Sequence, residues 1–464
     1  MPSRALIVAA LTLAIFLSAM EATVVATAMP TVVADLGGIA VYGWVSSVYL
    51  LASTVTVPLF GKLSDRQGRK VVLLGGIVLF VLGSLASGLA TTIEQLIVFR
   101  AVQGLGAGAM GPTVLTVVGD LYPPAERGRI QALFSTVWGV AGVAGPMIGG
   151  AIVAVASWRW VFLVNLPFGL AAAAAVWRVY HEEPRPAPRT PLDLAGAAAL
   201  LVASVALLLG ASQVSPLLAT LVGVVGAAVF VAVEQRAADP VLPLGLLAER
   251  LVAVTAGANF LLGAAMSSTL AYLPLHVQGV LLESPAHAGV VVAPMLVGWP
   301  IASALTSRML VRTGYRRPIW LGTALCAATT TLLVPLVGAR SGELALGAVM
   351  LAYGFGMGLT NSAMMIGVQA SVGWDQRGVV TALTIFARTM GGALGVGALG
   401  ALLAARLDPA VLPTVRALLD PHGAAVAASP EVVAALATAT GPLFWAGAAC
   451  CVAASVVVAA YPSR

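Results

Sequence analysis

Charge is the scarcest commodity in this sequence: of 464 residues only 9% are Asp, Glu, Lys or Arg, while 60% are hydrophobic. A soluble globular chain carries about 25% charged residues. With so few, this chain has no means of covering itself with a hydrated surface, and its solvent is lipid. Cysteine and histidine are also sparse. Cys326, Cys450 and Cys451 all lie in apolar runs, which excludes a disulfide framework and offers no metal-binding spacing. The four histidines are scattered and form no ligand cluster, so no metal is expected. No Gly-x-x-x-x-Gly-Lys-Ser/Thr loop is present, which excludes ATP drive within this polypeptide. No His-x-x-His or Ser/His/Asp set marks a membrane enzyme, and the longest non-spanning stretch, roughly thirty residues, is too short for a receptor's signalling domain. The chain is therefore expected to be no enzyme, to need no cofactor and to have no obligate protein partner.

What is present is apolar sequence in lengths that fit a bilayer. At ~20 residues per spanning helix, spans are expected near 5–30, 42–61, 71–91, 93–119, 130–155, 159–179, 193–211, 215–233, 252–275, 286–307, 318–338, 343–367, 378–404 and 438–460. The runs are continuous rather than alternating, which favours helices over a β-barrel. The expected fold is thus all-α, with fourteen transmembrane helices. Fifty glycines suit helices that approach backbone to backbone. Arg4 and the first apolar run resemble a signal peptide, but the run is too long and thirteen further spans follow, so it reads as an uncleaved first helix.

The basic residues sort by loop. With the N-terminus inside, 18 of the 24 Lys and Arg fall in inner loops and tails and 4 in outer loops, Arg159, Arg340, Arg406 and Arg416; Arg100 and Arg388 lie within spans. This bias places both termini in the cytoplasm, and it makes the net charge of +6 a topology signal rather than a nucleic-acid footprint. Removing spans 7 and 8 as a pair would leave the other orientations unchanged, so the rule supports an even count. Residues 181–192 form a charged, Pro-rich cytoplasmic linker, and 405–435 form an outer loop of mild amphipathic character.

The chain also repeats. Residues 127–145 match 377–395 at an offset of 250, with Arg127/Arg377, Gly128/Gly378, Ala132/Ala382, Leu133/Leu383, Gly142/Gly392 and Gly145/Gly395 coinciding. Phe16 and Pro30 meet Phe260 and Pro274 at 244, and 65–70 parallels 311–316 near 246. The organisation is a six-helix half over 1–180, the linker, an inserted helix pair over 193–233, and a second half over 250–464. Two like halves around a midplane site is an alternating-access design.

Glu21 stands out as the acidic residue set well inside a span. An intramembrane carboxylate costs ~2.5–3.5 kcal/mol or more unless paired, hydrated or protonated. It either carries a proton, attracts a cationic substrate, or serves as a packing carboxylate bonded to a neighbouring helix. Arg100 in span 4 is its natural partner: counting 1.5 Å per residue from the outer ends of the spans puts the two at ~14 and ~10 Å depth. Arg100 alternatively caps carbonyls or reaches the headgroups.

Several motifs together resemble a known family. Gly61-Lys62-Leu63-Ser64-Asp65-Arg66-Gln67-Gly68-Arg69-Lys70 resembles the signature loop of the major facilitator superfamily. Gly142 and Gly145-Pro146-Met147-Ile148-Gly149-Gly150 in span 5 resemble its antiporter motif. Trp158 to Gly169 and Glu21 to Pro30 are similar to the fourteen-span drug:proton antiporter branch, many members of which carry Asp where Glu21 stands. The resemblance covers essentially the whole chain. It implies a proton-coupled exporter of lipophilic, often cationic compounds in the plasma membrane, with protons and small lipophilic molecules as ligands, lipid as surroundings and the proton gradient as drive. A transporter of one specific metabolite by the same mechanism is the nearest alternative.

The resemblance also implies roles. Arg100, in Arg100-Ala101-Val102-Gln103-Gly104, takes part in proton coupling. Asp65, Arg69 and Asp120, with Gly61 and Gly68, form a conformational latch on one half, since Val311 stands where Asp65 would repeat. Lys62, Arg66 and Lys70 fit a plain positive-inside anchor better. Gly142, Gly145, Pro146, Gly149 and Gly150 carry the export motif. Arg388, deep in span 13, either pairs with Asp65 or bonds exposed carbonyls. Trp44, Gln103, Asn165, Asn259, Asn361 and Met364 are candidates for cavity lining.

Overall fold

A backbone in hydrocarbon must satisfy every N–H and C=O internally, and a continuous apolar run does so by coiling into a helix. The computed structural model describes residues 4–37, 43–182, 193–211, 216–407 and 430–462, and all regular structure among them is helical. The first stretch holds α1 (Arg4–Leu36), α2 (Gly43–Gln67), α3 (Arg69–Gly88), α4 (Ile93–Leu121), α5 (Pro124–Val155), α6 (Trp160–Leu163) and α7 (Asn165–Val179). The inserted pair is α8 (Leu194–Ala211) and α9 (Pro216–Glu234), followed by the short α10 (Leu244–Ala248). Then come α11 (Arg250–Gly279), α12 (Pro285–Thr313), α13 (Arg316–Gly338), α14 (Glu343–Ser371), α15 (Arg377–Arg406) and α16 (Pro430–Ala459). A 3-10 turn, Trp374–Gln376, leads into α15.

Thirteen of the described helices, counting α6 and α7 as one span, are long and apolar enough to cross a membrane. The fourteenth expected span is α8, apolar over Leu194–Gly210 and just short of that length. Eighteen residues reach ~27 Å, close to the ~30 Å hydrocarbon core. The regular ladder of the sixth span is interrupted at Val164, whose backbone stays in the helical region at φ −60° and ψ −25°. Pro167 has no N–H to give the Leu163 carbonyl four residues back, so the helix restarts at Asn165. The linker 181–192 and the loop 405–435 fall mostly outside the described residues.

The chain forms two compact units. The first holds Met1–Val205, Ala228–Leu244 and Ile366–Phe386, and the second holds Ala206–Ala227, Gly245–Met365 and Ala387–Arg464. In the first, α3 and α2 pack on α4, and α1 packs on α5 and α7. The α3–α4 crossing is backbone-close: a Cβ on Gly106 would stand 2.4 Å from the Phe80 nitrogen and 2.6 Å from the Gly76 carbonyl oxygen. In the second unit α16 packs on α11 and α13, around Leu262, Tyr353 and Met357. The segment 366–386, which joins α14 to α15, belongs to the first unit although it lies in the second repeat.

Candidate functional site

Two buried polar clusters lie in the first unit, one amid its helices and one at their ends. The inner cluster centres on Glu21, which is 1% exposed. Arg100 of α4 donates through Nη1 to Glu21 Oε1. The same guanidinium donates to Gln103 Oε1 at 2.6 Å and, through Nε, to the Val45 carbonyl at 3.2 Å. Its plane lies 4.2 Å from the centre of the Tyr49 ring and 5.7 Å from that of Phe162. A guanidinium is always charged and brings a fork of donors, so the two opposite charges meet with hydrogen bonds that hold both in place.

Asn165 completes the cluster. Starting α7 at the break, it donates through Nδ2 to Glu21 Oε2 and, at 3.0 Å, to Ser84 Oγ of α3. Ser84 Oγ in turn donates to the Phe162 carbonyl of α6 at 2.8 Å. Gln103 is fully buried and its Nε2 has no hydrogen-bond partner among the described residues. Gln103 and Asn165, read from sequence as cavity lining, are thus direct neighbours of the Glu21–Arg100 pair. The bond from Asn165 to Glu21 was not legible in the sequence.

The remaining lining candidates lie elsewhere. Asn259 and Met364 meet each other inside the second unit, Asn259 Nδ2 lying 3.3 Å from Met364 Sδ and 2.9 Å from the Thr255 carbonyl oxygen. Trp44 at the start of α2 and Asn361 in α14 are half-buried.

The glycines of span 5 fit α5 onto α1 just beyond Glu21. A Cβ on Gly145 would stand 2.0 Å from Thr23 Oγ1, and one on Gly149 2.2 Å from Thr27 Oγ1. Thr23 Oγ1 also donates across to the Ala141 carbonyl at 3.0 Å. Gly150 faces open space, Pro146 is exposed and Gly142 is half-buried. Gly149→Val should therefore separate α1 from α5, costing about 1–3 kcal/mol by overpacking and most of the transport activity. Gly150→Ala should leave both at the parental level. Thermal melts and uptake assays on the pair check this, and equal losses would argue against the α1–α5 contact.

At the unit's end, Arg69 is fully buried. Its Nη2 pairs with Asp65 Oδ1 at 2.7 Å and its Nε with Asp120 Oδ2 at 3.0 Å. Nη1 donates to the Ser64 carbonyl, and Nη2 to the carbonyl of Trp374, whose ring centre lies 3.5 Å from the guanidinium. Asp65 accepts the backbone N–H groups of Gly378 and Val379, both at 2.8 Å, at the start of α15. That is where a helix leaves its donors open and favours a negative charge. A Cβ on Gly61 would stand 2.3 Å from Ala382 Cβ, and one on Gly378 2.5 Å from the Gly61 carbonyl oxygen. Small residues on both sides permit the docking.

The repeat-related pair Arg127 and Arg377 converges here. Both donate to the Gly119 carbonyl, and Arg377 also reaches Asp120 Oδ1 at 2.9 Å, placing cations at the C-terminal end of α4. Arg388, ten residues along α15 from Gly378, lies in the second unit, where Gly263 closes on its backbone. Both Asp65 oxygens are already engaged within the first unit.

Several neighbours were missed in the sequence. Lys62 and Arg66 both pair with Asp239, so these two anchors are also braced by the segment after α9. Glu182 accepts the N–H groups of Arg69 and Lys70 at 3.0 and 2.9 Å, and Gly68 turns the chain there at φ +96°. Trp158 Nε1 and Arg159 Nη1 both donate to Asp35 Oδ2. Those bonds hold the Asp35 carboxyl below its ordinary range and fasten the end of α1. Neither Asp239 nor Glu182 belongs to a spacing that points at the signature loop.

Comparison with known proteins agrees with this architecture. Residues 11–396 match the family described as the Major Facilitator Superfamily. Multidrug transporter protein MdtP of Bacillus subtilis is 34% identical over 87% of this chain and 76% of its own length. Multidrug resistance protein 3 of the same organism is 33% identical over 86% and 79%. Among solved structures, a bacterial homologue of the iron transporter ferroportin, in an outward-facing state, superposes with a TM-score of 0.66 at 12% identity, over 98% of this chain and all of that one. The human organic anion transporter MFSD10 gives 0.64 at 17% identity, over 97% of this chain and all of that one. By sequence match over most of its length, and by a helical fold that agrees, this chain belongs to the Major Facilitator Superfamily.

Proposed function

We propose that this multi-pass protein is a proton-coupled antiporter that exports lipophilic, mainly cationic compounds from the cytoplasm across the plasma membrane. The observation that carries this is the buried Glu21 carboxylate, paired with Arg100 in a first span whose next turns pack on the glycines of span 5. A proton arriving from outside neutralises Glu21 and displaces substrate, and its release to the cytoplasm restores the Arg100 pair. The proton gradient is the drive, and no cofactor takes part. Relatives named as multidrug transporters support the substrate class.

Asp65, Arg69 and Asp120 act as the latch in this reading. Docked on the start of α15, they hold one state of the cycle until the charge at Glu21 changes. Both termini and the signature loop face the cytoplasm, as loop charge implies. Cysteines placed near His181 and Asp239 should label from the cytoplasmic side only, and labelling from outside would overturn this topology.

The test of function is pH-jump efflux from proteoliposomes loaded with lipophilic cations or neutral drugs. Cation efflux should rise when protons are supplied on the side opposite the cargo and stop when the gradient is collapsed. Efflux indifferent to the gradient would refute proton coupling.

A further inference from the structure

We propose that Asn165 is a positioning residue that holds Glu21 in its ionised, Arg100-paired form and passes its protonation on, through Ser84, to the break in the sixth span. This rests on the reading of Glu21 as the proton carrier.

The hydrogen-bond inventory carries the argument. A primary amide has two N–H donors, and Asn165 directs one to Glu21 Oε2 and the other to Ser84 Oγ. Glu21 Oε1 is taken by Arg100. An ionised carboxylate is a pure acceptor, so each oxygen meets a donor and the set is matched. Arg100 keeps its proton throughout, which leaves Oε2, on the Asn165 side, as the oxygen to receive one. Once protonated, Oε2 carries its own O–H, which then faces the Asn165 N–H, donor against donor. The amide must turn to offer Oδ1 or withdraw. Asn165 is 4% exposed and Ser84 fully buried, so no bulk water relieves the conflict.

The movement has somewhere to go. Asn165 is the first residue of α7, next to the break at Val164, and Ser84 is tied to the Phe162 carbonyl on the other side of that break. A turned amide therefore changes bonding on both sides of a point where the helix already lacks a continuous ladder. Among the described residues, the charged and titratable side chains facing Glu21 are Arg100 from α4 and Tyr49 from α2. The cluster's residues from α3 and α7, Ser84 and Asn165, do not titrate, and α5 meets α1 there through Gly145 and Gly149.

The experiment measures tetraphenylphosphonium binding against pH on the protein in nanodiscs, for the parent, Glu21→Gln, Asn165→Leu, Asn165→Ala and Ser84→Ala. Transport turnover is measured on the same variants. The parent should lose binding on acidification with a midpoint that Glu21→Gln abolishes. Asn165→Leu removes a donor from the ionised form, so its midpoint should move to higher pH by about one unit, roughly tenfold in proton affinity. Asn165→Ala removes the same donor without adding bulk, should move the midpoint the same way, and covers the case in which the Leu variant fails to fold. Ser84→Ala should leave the midpoint in place and slow turnover. Asn165 variants that lower turnover with the midpoint unmoved would overturn the inference while the reading of Glu21 stands. A parental midpoint that survives Glu21→Gln would overturn both.

Discussion

Glu21→Gln is expected to abolish proton-driven export while leaving the protein inserted and folded. The substitution keeps the shape of the side chain and removes its charge and its capacity to carry a proton. Arg100 is then left 2% exposed beside Gln103, the Val45 carbonyl and the Tyr49 and Phe162 rings, with no opposite charge. Breaking a buried pair from one side costs about 3–5 kcal/mol when nothing replaces the lost charge. The Gln carbonyl still accepts a hydrogen bond, so the loss in stability should fall toward the low end. The functional loss should not be reduced in the same way. With no titratable group between the two protonation states, coupled flux should drop by about 10²-fold or more, the rate equivalent of ~3 kcal/mol. Adding Arg100→Met to Glu21→Gln removes the orphaned cation and should recover much of the thermal stability without recovering transport. Recovery of neither would mean the two residues do not act as a pair.

Asp65→Asn should have the second-largest effect. Asp65 accepts two backbone N–H bonds at the start of α15 and one ion pair from Arg69. An amide offers one accepting oxygen and turns two donors toward the remaining partner, so at least one of these contacts becomes a clash. Charge-assisted bonds are worth about 1.5–3 kcal/mol each, and losing one shifts a two-state latch by ten- to a hundredfold. Transport at saturating substrate should slow by about tenfold, and a cysteine placed at Gly373 should label faster. Arg377→Lys, which keeps a cation near Asp120, should cost less. Unchanged rate and labelling in Asp65→Asn would reduce the loop to a topology anchor.

The spans were legible because lipid imposes one simple rule on composition, although helix ends such as Gln67, Pro124 and Pro430 lie six to eight residues beyond the expected ones. Similar depth permitted the Glu21–Arg100 meeting without requiring it, because a helix advances a fixed distance per residue. What depth leaves out is azimuth. Asn165 looked like any polar residue of a span, and nothing in its spacing said that its amide would meet Glu21. The partners of Asp65 were hidden for a different reason: they are backbone N–H groups, which every residue has. Arg377 was visible as half of the Arg127/Arg377 repeat, yet the repeat carried no hint that both would reach Gly119. Asp239 and Glu182 lie far along the chain from the loop they brace, and single acidic residues in short loops carry no address. The inserted pair was the least certain part of the map, and α8 remains the shortest of the fourteen expected spans among the described residues.

Proton release on substrate binding tests the competition at Glu21 most directly. Purified protein in weakly buffered detergent solution, given saturating tetraphenylphosphonium beside a pH indicator, should release on the order of one proton per molecule near the binding midpoint. The Glu21→Gln protein should release none. Equal release from both proteins, or none from the parent while it binds the cation, would contradict a shared site for proton and substrate.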